Sequence, residues 1–239
     1  MIRDAAGARV DPQDCTLVIP AYNEERRICT LLDDVSSFPG ELIFVCDGTD
    51  ATADVVTAFA AMHPDLSIRC LRFAQRLGKG GGILAGMQAA TGRYVGYMDA
   101  DCSTRLDQMR LLFDRLGEAD GAIGSRWVPG AVLVVRQSFM RRAQSRFFNL
   151  IVKVLFGLDY RDTQCGAKVF RKEALDAVSA DLRATGFEFD VELLWRLRQK
   201  GYTVEEVSIV WQNMDESKVG TSDVAAMLTG MLRVRFGKG

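Results

Sequence analysis

Two aspartates one residue apart, Asp99 and Asp101, directly follow an apolar run from Tyr94 to Met98. A short run of this kind predicts a strand that is buried on both faces of a sheet. Two carboxylates at its end repel each other, and a divalent cation relieves that repulsion. Because Mg²⁺ and Mn²⁺ prefer oxygen ligands and keep open positions for phosphate oxygens, the pair predicts a metal site for a phosphate-bearing ligand. A D-x-D motif alone is weak evidence, and its position after a strand gives it weight.

Polar residues also follow two earlier predicted strands. Residues 21–24 (AYNE) come after the run 16–20, and residues 47–50 (DGTD) come after the run 42–45. Asp, Asn and Gly are common in solvated turns and helix caps, so one such cluster alone does not distinguish a turn from a site. The carboxyl ends of parallel strands meet at one edge of a sheet, where ligands bind. Three clusters at equivalent strand ends therefore predict one shared site.

The elements that must position these clusters alternate between short apolar strands and helical patterns. The pattern predicts strands over 16–20, 42–45, 67–73, 94–98 and 121–124, and helices over 24–35, 52–62, 78–90 and 106–116. The helix from residue 78 could open as a glycine-rich loop. This order predicts an α/β fold, a single Rossmann-like domain with a mostly parallel central sheet and helices on both faces.

Several segments, taken in order along the chain, resemble the GT-A glycosyltransferases of family 2. In the first half these are TLVIPAYNEERRI (16–28), DGTDAT (47–52), LGKG (77–80) and DAD (99–101). In the second half, DTQCGAKVF (162–170), FEFDVELL (187–194) and Trp211 with ESKV (216–219) are similar to the dolichyl-phosphate sugar synthases, and most of all to the dolichyl-phosphate β-glucosyltransferase branch. The resemblance covers roughly residues 14–220, and many motifs in one order are far more specific than one. It implies a GT-A fold and transfer of a hexose from a nucleotide-sugar to a dolichyl or polyprenyl phosphate.

The resemblance also implies residue roles. Asp99 and Asp101 would serve the ribose and the Mg²⁺ or Mn²⁺ ion on the diphosphate, with Asp101 catalytic. Lys79 and Lys168 are cations that could meet phosphate charge, and a solvated surface position is the alternative for each. Arg126 resembles a position that contacts the reacting phosphates, with an ordinary salt bridge as the alternative. The residues expected to hold the nucleotide-sugar follow the predicted strands or the glycine-rich loop: Pro20, Ala21, Tyr22, Glu24, Asp47, Lys79, Asp99, Ala100 and Asp101.

The chain departs from the family pattern after the second strand. Cys46-Asp47 stands where the family usually has two acidic residues, and the turn from Asp47 to Thr52 is one residue shorter. Contacts to the base are expected in this turn, so the choice between uridine and guanosine stays open. The segments 162–166 (DTQCG) and 217–219 (SKV) favour UDP-glucose as the donor, and GDP-mannose is the alternative.

A basic and apolar segment dominates the second half. Residues 131–158 contain no acidic residue, and large apolar side chains alternate with basic ones. An amphipathic helix over 136–156 suits the surface of an anionic membrane, whereas a helix packed on the core with a basic solvent face is the alternative. Arginines at helical spacing could bind a lipid phosphate, with Arg142 as a catalytic contact. The basic residues of this segment are Arg136, Arg141, Arg142, Arg146 and Lys153.

The amino-acid composition limits the cellular location and the classes of partner that we expect for this protein. The chain has 239 residues, 30 of them basic and 31 acidic, and its net charge of −1 argues against a nucleic-acid partner. The six cysteines form no C-x-x-C pair, which predicts free thiols rather than a zinc site.

We divide the chain into a tail (1–13) without the apolar core of a signal peptide, a GT-A domain (14–220) and a basic amphipathic helix (221–239). No run is long enough to span a membrane, so we expect a cytoplasmic protein on the cytoplasmic face of a membrane.

Two other function classes stay open. A non-catalytic nucleotide-sugar-binding protein would bind nucleotide without sugar transfer. A nucleotidyltransferase would share the α/β architecture, but its glycine-rich loop with basic residues after the first strand is replaced here by PAYNE (20–24). For a transferase we expect an inverting reaction. A lipid phosphate is already anionic near neutral pH and needs no strong general base, which agrees with the lack of candidate histidines.

Overall fold

The computed structural model describes residues 10–134, 139–212 and 221–237; the side chains of 139–145, 147 and 221–226 lie outside the description. Its strands are β1 (Cys15–Ala21), β2 (Glu41–Cys46), β3 (Ile68–Arg72), β4 (Tyr94–Tyr97), β5 (Gly121–Ser125), β6 (Val132–Leu133), β7 (Lys168–Arg171), β8 (Val204–Ser208) and β9 (Val210–Trp211). Its helices are α1 (Ile28–Val35), α2 (Thr52–Met62), α3 (Gly78–Ala89), α4 (Leu106–Phe113), α5 (Phe139–Phe156), α6 (Lys172–Ser179), α7 (Phe189–Gln199) and α8 (Thr221–Phe236).

Seven strands form the central sheet in the order β3-β2-β1-β4-β7-β5-β8. Strand β7 runs antiparallel to both of its neighbours, and the other pairs are parallel. The expected α/β fold with a mostly parallel sheet is therefore confirmed. Strands β6 and β9 form a separate two-stranded parallel sheet.

Alternate side chains of the central strands enter two hydrophobic layers. Leu17 and Ile19 of β1 lie in one layer with the buried faces of α1 and α4. Val18, between them, points into the opposite layer with α3, α6 and α7. Since both faces of the sheet are covered, its inner strands consist of continuous apolar runs, which is the pattern seen in the sequence.

Several local features differ from the sequence prediction, among them the end of α4, which is Phe113 rather than residue 116. Helix α1 begins at Ile28 rather than at residue 24, because Asn23 takes a left-handed conformation (φ 53°) and residues 25–27 form a turn. Helix α3 begins directly at Gly78, so the glycines belong to the helix and not to a loop. The antiparallel strand β7 was not predicted.

The C-terminal helix α8 packs on the rest of the protein. Met231 is fully buried in the same layer as α7, and Arg235 Nε donates to the carbonyl of Leu155 in α5 at 2.9 Å. Val10, in the predicted tail, is also buried. None of the helices in the described part of the chain combines the length and the apolar character needed to cross a membrane.

Candidate active site

The sheet order brings the three polar clusters to one edge. Strand β1 lies between β2 and β4 and is parallel to both, so their carboxyl ends point the same way. The residues after these ends are Tyr22 to Glu24, Asp47 and Asp99. Helix α3 closes the edge from the side: a Cβ on Gly82 would lie 3.3 Å from Pro20 Cβ, so glycine permits this close packing.

A line of alternating charges runs down from this edge into the core. Lys79 Nζ on α3 lies 2.9 Å from Asp99 Oδ1 and 3.5 Å from Asp190 Oδ2. Asp190 Oδ1 in turn accepts hydrogen bonds from Lys168 Nζ and from the Tyr97 hydroxyl, each at 2.5 Å. The exposed fraction of the side chain falls from 32% at Asp99 to 14% at Lys79 and 1% at Asp190. Asp99 is therefore the solvent end of a buried ionic network.

The charges of this network stabilise one another. Burial lowers the pKa of the Lys79 ammonium, but the carboxylates of Asp99 and Asp190 outweigh that effect and hold the pKa above its ordinary value. Burial raises the pKa of Asp190, but Lys168 and Lys79 outweigh it and hold the pKa of that carboxyl below its usual range. Both groups are therefore charged at neutral pH.

The position of Lys168 differs from the one that a contact with phosphate would require. Its side chain is 0% exposed, and its ammonium donates to Asp190 and to the carbonyl of Cys165. A group in this position neutralises Asp190 and cannot reach a phosphate at the surface. This placement corrects the direct phosphate contact expected from the sequence.

The carboxylates at the end of β4 fit a divalent cation. Gly166 leaves room for Asp99, because a Cβ there would lie 1.9 Å from Asp99 Oδ2. Asp101 Oδ1 accepts from the Ser103 backbone at 2.9 Å, and its other oxygen makes no hydrogen bond to the described residues. No group of three or more His, Cys, Asp or Glu side chains that could hold a metal occurs among the residues described. Two carboxylates suit a Mg²⁺ or Mn²⁺ ion that takes its remaining ligands from a diphosphate and water.

The expected nucleotide side of the edge is held by short polar contacts. Asp47 is buried, and its Oδ2 accepts from the backbone N–H groups of Leu77 (2.8 Å) and Gly78 (3.2 Å). These two hydrogen bonds fix the start of α3. They occupy one oxygen of the Asp47 carboxylate, which is the group expected to reach the base or ribose. The Arg76 guanidinium lies 4.0 Å above the Tyr22 ring.

Two further polar contacts hold Asn23 and Glu24 at the same edge of the sheet. Asn23 Oδ1 accepts from the backbone of Thr49 at 2.9 Å, which ties the end of β1 to the turn after β2. Glu24 is buried, and its carboxylate accepts from the Arg27 guanidinium at 2.6 Å. Glu24 therefore holds the turn before α1 in this structure. Pro20, Ala21 and Ala100 line this corner with backbone, and Ala21 and Ala100 are buried.

Arg126 is fixed by an ion pair with the buried Asp162. Its backbone N–H and guanidinium donate to Asp162 at 2.9, 2.7 and 2.8 Å. Burial lowers the pKa of Arg126, but the carboxylate of Asp162 outweighs that effect and keeps the pKa above its ordinary value. The guanidinium lies 5.3 Å from the Trp211 ring. Both the expected contact with phosphates and the alternative salt bridge are thus compatible with this position, and the salt bridge is present.

Helix α5 carries exposed basic side chains at the protein surface. Arg146 is exposed, and its guanidinium lies 5.7 Å from the ring of Trp127, the residue after Arg126. Arg146 also lines a groove of about 400 Å³ with Lys153 and Arg161. The side chains of Arg141 and Arg142, and all of Arg136, lie outside the described residues.

Sequence reasoning missed three members of the site. Asp162 and Asp190 stand in the segments that carry the resemblance, but each was quoted there without a role, and Tyr97 was treated only as a strand residue. Acidic residues inside apolar or helical runs are the available signal, because a fully buried charge needs a partner. The identity of the partner depends on contacts between residues as far apart as Tyr97 and Asp190, which no local pattern contains.

The mostly parallel α/β sheet with a carboxylate pair at its carboxyl edge is an architecture found in GT-A glycosyltransferases. Residues 16–179 match the profile described as Glycosyl transferase family 2, and the chain belongs to this family.

Known relatives agree with this assignment. The chain is 30% identical over 240 residues to a dolichyl-phosphate β-glucosyltransferase of Dictyostelium discoideum, covering 92% of this chain and 73% of that protein. It is 33% identical to the glycosyltransferase AglD of Haloferax volcanii, over 97% of this chain, and spans 38% of that protein's length. The fold is similar to that of glucosyl-3-phosphoglycerate synthase from Mycobacterium tuberculosis in complex with Mn²⁺, UDP and phosphoglyceric acid (TM-score 0.70, 17% identity, 94% of this chain and 79% of that one).

Proposed function

We propose that this glycosyltransferase moves a hexose, with UDP-glucose as the favoured donor, onto a dolichyl or polyprenyl phosphate at a membrane surface. One observation carries the proposal: the same fold presents a carboxylate pair at the carboxyl edge of the sheet and a surface helix with exposed basic and apolar side chains. Asp99 and Asp101 follow β4 at this edge, and the exposed Arg146 of α5 lies 5.7 Å from the ring of Trp127, the residue after Arg126. The similarity to a dolichyl-phosphate β-glucosyltransferase of Dictyostelium discoideum supports glucose as the sugar and dolichyl phosphate as the acceptor class.

On the donor side, the protein supplies carboxylates and one partly exposed cation. Asp99 and Asp101 would hold a Mg²⁺ or Mn²⁺ ion, which when bound offsets the charge of the leaving nucleoside diphosphate. Lys79, at 14% exposure, is the cation best placed to meet the same diphosphate. Tyr22 and Asp47 border the space next to it and are the proposed contacts to base and ribose.

On the acceptor side, the protein supplies arginines. In the proposed reaction an acceptor phosphate oxygen forms a bond to the anomeric carbon while the bond from that carbon to the diphosphate breaks, with inversion. The phosphate is already anionic near neutral pH, so catalysis consists of positioning and charge neutralisation. Arg126, oriented by Asp162, and Arg146 are the proposed phosphate contacts, and Arg142 is retained as a third.

The surface around α5 and α8 suits a membrane. On α5, Leu150 and Val154 are 57% and 75% exposed beside exposed Arg146 and Lys153. These four positions recur at the spacing of one helical face. Helix α8, bonded to α5 through Arg235, adds further exposed apolar side chains, Leu232 at 49% and Phe236 at 66%. A surface that mixes large apolar and basic side chains binds anionic bilayers, and we propose that it lies on the cytoplasmic face, where the six free cysteines would remain reduced.

The test is a transfer assay. Purified protein is incubated with Mg²⁺ or Mn²⁺, dolichyl phosphate in vesicles, and radiolabelled UDP-glucose or GDP-mannose in parallel. We expect label from UDP-glucose in the organic phase and little from GDP-mannose. Asp101→Asn serves as the inactive control, because it removes one charge from the metal site without changing side-chain size. Label from GDP-mannose alone would reverse the donor assignment, and nucleotide binding without transfer of any label would favour a non-catalytic binding protein.

A further inference from the structure

Lys79 has two carboxylates within reach, and they lie at different depths. The ammonium is 2.9 Å from Asp99, which faces the site, and 3.5 Å from Asp190, which is buried. Within the described part of the chain, the oxygen of Asp190 that faces Lys79 accepts no hydrogen bond, whereas its other oxygen is held by Lys168 and Tyr97. Asp190 is thus a fixed anion with one oxygen directed at the lysine.

We propose that Asp190 is a positioning residue that draws the Lys79 ammonium away from Asp99 when Asp99 binds a divalent cation. An ammonium and a divalent cation repel each other, so they cannot share the Asp99 carboxylate at close range. With Asp190 present, Lys79 moves toward a second carboxylate and stays in the site, facing the diphosphate. Without that charge, Lys79 loses one of its two ion-pair partners among the described residues and competes with the metal for Asp99.

Asp190 is unsuited to any direct role in the reaction. Its side chain is 1% exposed, and one of its oxygens is occupied by two hydrogen bonds of 2.5 Å. It acts through Lys79, in the way that residues behind metal ligands tune affinity from outside the coordination shell. The inference rests on the proposed function only in assigning Asp99 to the metal.

The experiment measures Mn²⁺ binding in the presence of UDP, without lipid or sugar transfer, by the electron paramagnetic resonance signal of free Mn²⁺. Asp190→Asn keeps the shape and removes the charge, and we expect Mn²⁺ affinity to fall by about tenfold or more, as is typical for outer-shell partners of metal ligands. The matched control is Glu192→Gln, another buried acid of α7, which is bonded to the backbone of Arg183 and Ala184. That variant should bind Mn²⁺ as the wild type does.

A double-mutant cycle separates this role from general damage to the fold. In a Lys79→Met background no ammonium competes for Asp99, so Asp190→Asn should cause no further loss of Mn²⁺ affinity. If Asp190→Asn alone does not fold because Lys168 lacks its partner, the charge-balanced Lys168→Met/Asp190→Asn variant takes its place and should show the same weakening.

The outcomes distinguish the two proposals. Unchanged or tighter Mn²⁺ binding by a folded Asp190→Asn variant overturns this inference and leaves the proposed function intact. An equal loss in the Lys79→Met background also overturns it, because the effect would then not pass through Lys79. A wild-type protein that binds no Mn²⁺ in the presence of UDP overturns the metal assignment and this inference with it, whereas the transfer assay decides the proposed function separately.

Discussion

Replacing Gly166 by alanine tests the placement of Asp99 with a single methyl group. An alanine Cβ would lie 1.9 Å from Asp99 Oδ2 and 2.3 Å from its Cγ. Van der Waals contact between these atoms needs about 3.4 Å or more, so one group must move by more than 1 Å. Gly166 lies in the segment before β7, while Asp99 is a side chain with 32% exposure, so the carboxylate rotates away and the backbone stays.

The expected cost falls on activity and not on folding. An unfavourable rotamer of Asp99 costs about 1 kcal/mol, which for a protein of this size lowers Tm by about 2–4 °C. A displacement of about 1 Å at the reacting centre can reduce the rate about 100-fold, and we expect kcat/KM for the nucleotide-sugar to fall by that order. The assays are thermal unfolding and transfer of labelled sugar to lipid phosphate.

Gly121→Ala is the matched control. Its Cβ would lie 2.4 Å from the Phe170 ring inside the core, so overpacking should cost about 1–3 kcal/mol of stability and leave kcat/KM of the folded fraction near normal. Near-normal transfer by Gly166→Ala would refute the claim that Asp99 must occupy its present position. Global unfolding of that variant would refute the claim that the side chain gives way before the backbone.

Three further predictions concern other parts of the protein. Asp162→Asn breaks a buried pair with Arg126, so we expect a loss of about 3–5 kcal/mol in urea unfolding, with reduced lipid-phosphate use; a change below about 1 kcal/mol would contradict the pairing. Leu150→Glu on α5 should weaken sedimentation with anionic vesicles while leaving the Tm unchanged, and undiminished sedimentation would argue against this membrane face. Glu41 is buried but accepts hydrogen bonds from neighbouring residues that hold its pKa below the ordinary 4.5. Its contribution to stability is therefore present above pH 4.5 and lost as the pH falls through the lowered value, and Glu41→Gln should show a smaller loss of stability over that acid range.

The first half of the fold could be predicted because its information is local. The runs at Thr16 to Pro20 and Leu42 to Val45 are continuous and apolar, and both became inner strands of the sheet. Helix α2 has the predicted bounds, Thr52–Met62. Parallel order then follows from the alternation of strands and helices, and it places Asp47 and Asp99 at one edge.

The second half could not be predicted in the same way. Strand β7 has only four residues, begins with a buried lysine and is antiparallel between β4 and β5, so neither its pattern nor its neighbours are visible locally. Lys168 was therefore expected to meet phosphate, whereas it neutralises Asp190 beneath the site. The tertiary structure determines which charged side chains of this protein pair with each other. The sequence shows only that the charged residues are present.

The central claim is that Asp99 and Asp101 hold a divalent cation on the diphosphate of a nucleotide-sugar. A crystal structure of the protein with UDP and Mn²⁺, recorded with anomalous scattering at the manganese edge, tests it most directly. The account predicts a manganese peak with oxygens of both aspartates at about 2.0–2.3 Å and Lys79 shifted toward Asp190. A bound UDP with manganese elsewhere, or with both carboxylates turned away from it, would contradict the account.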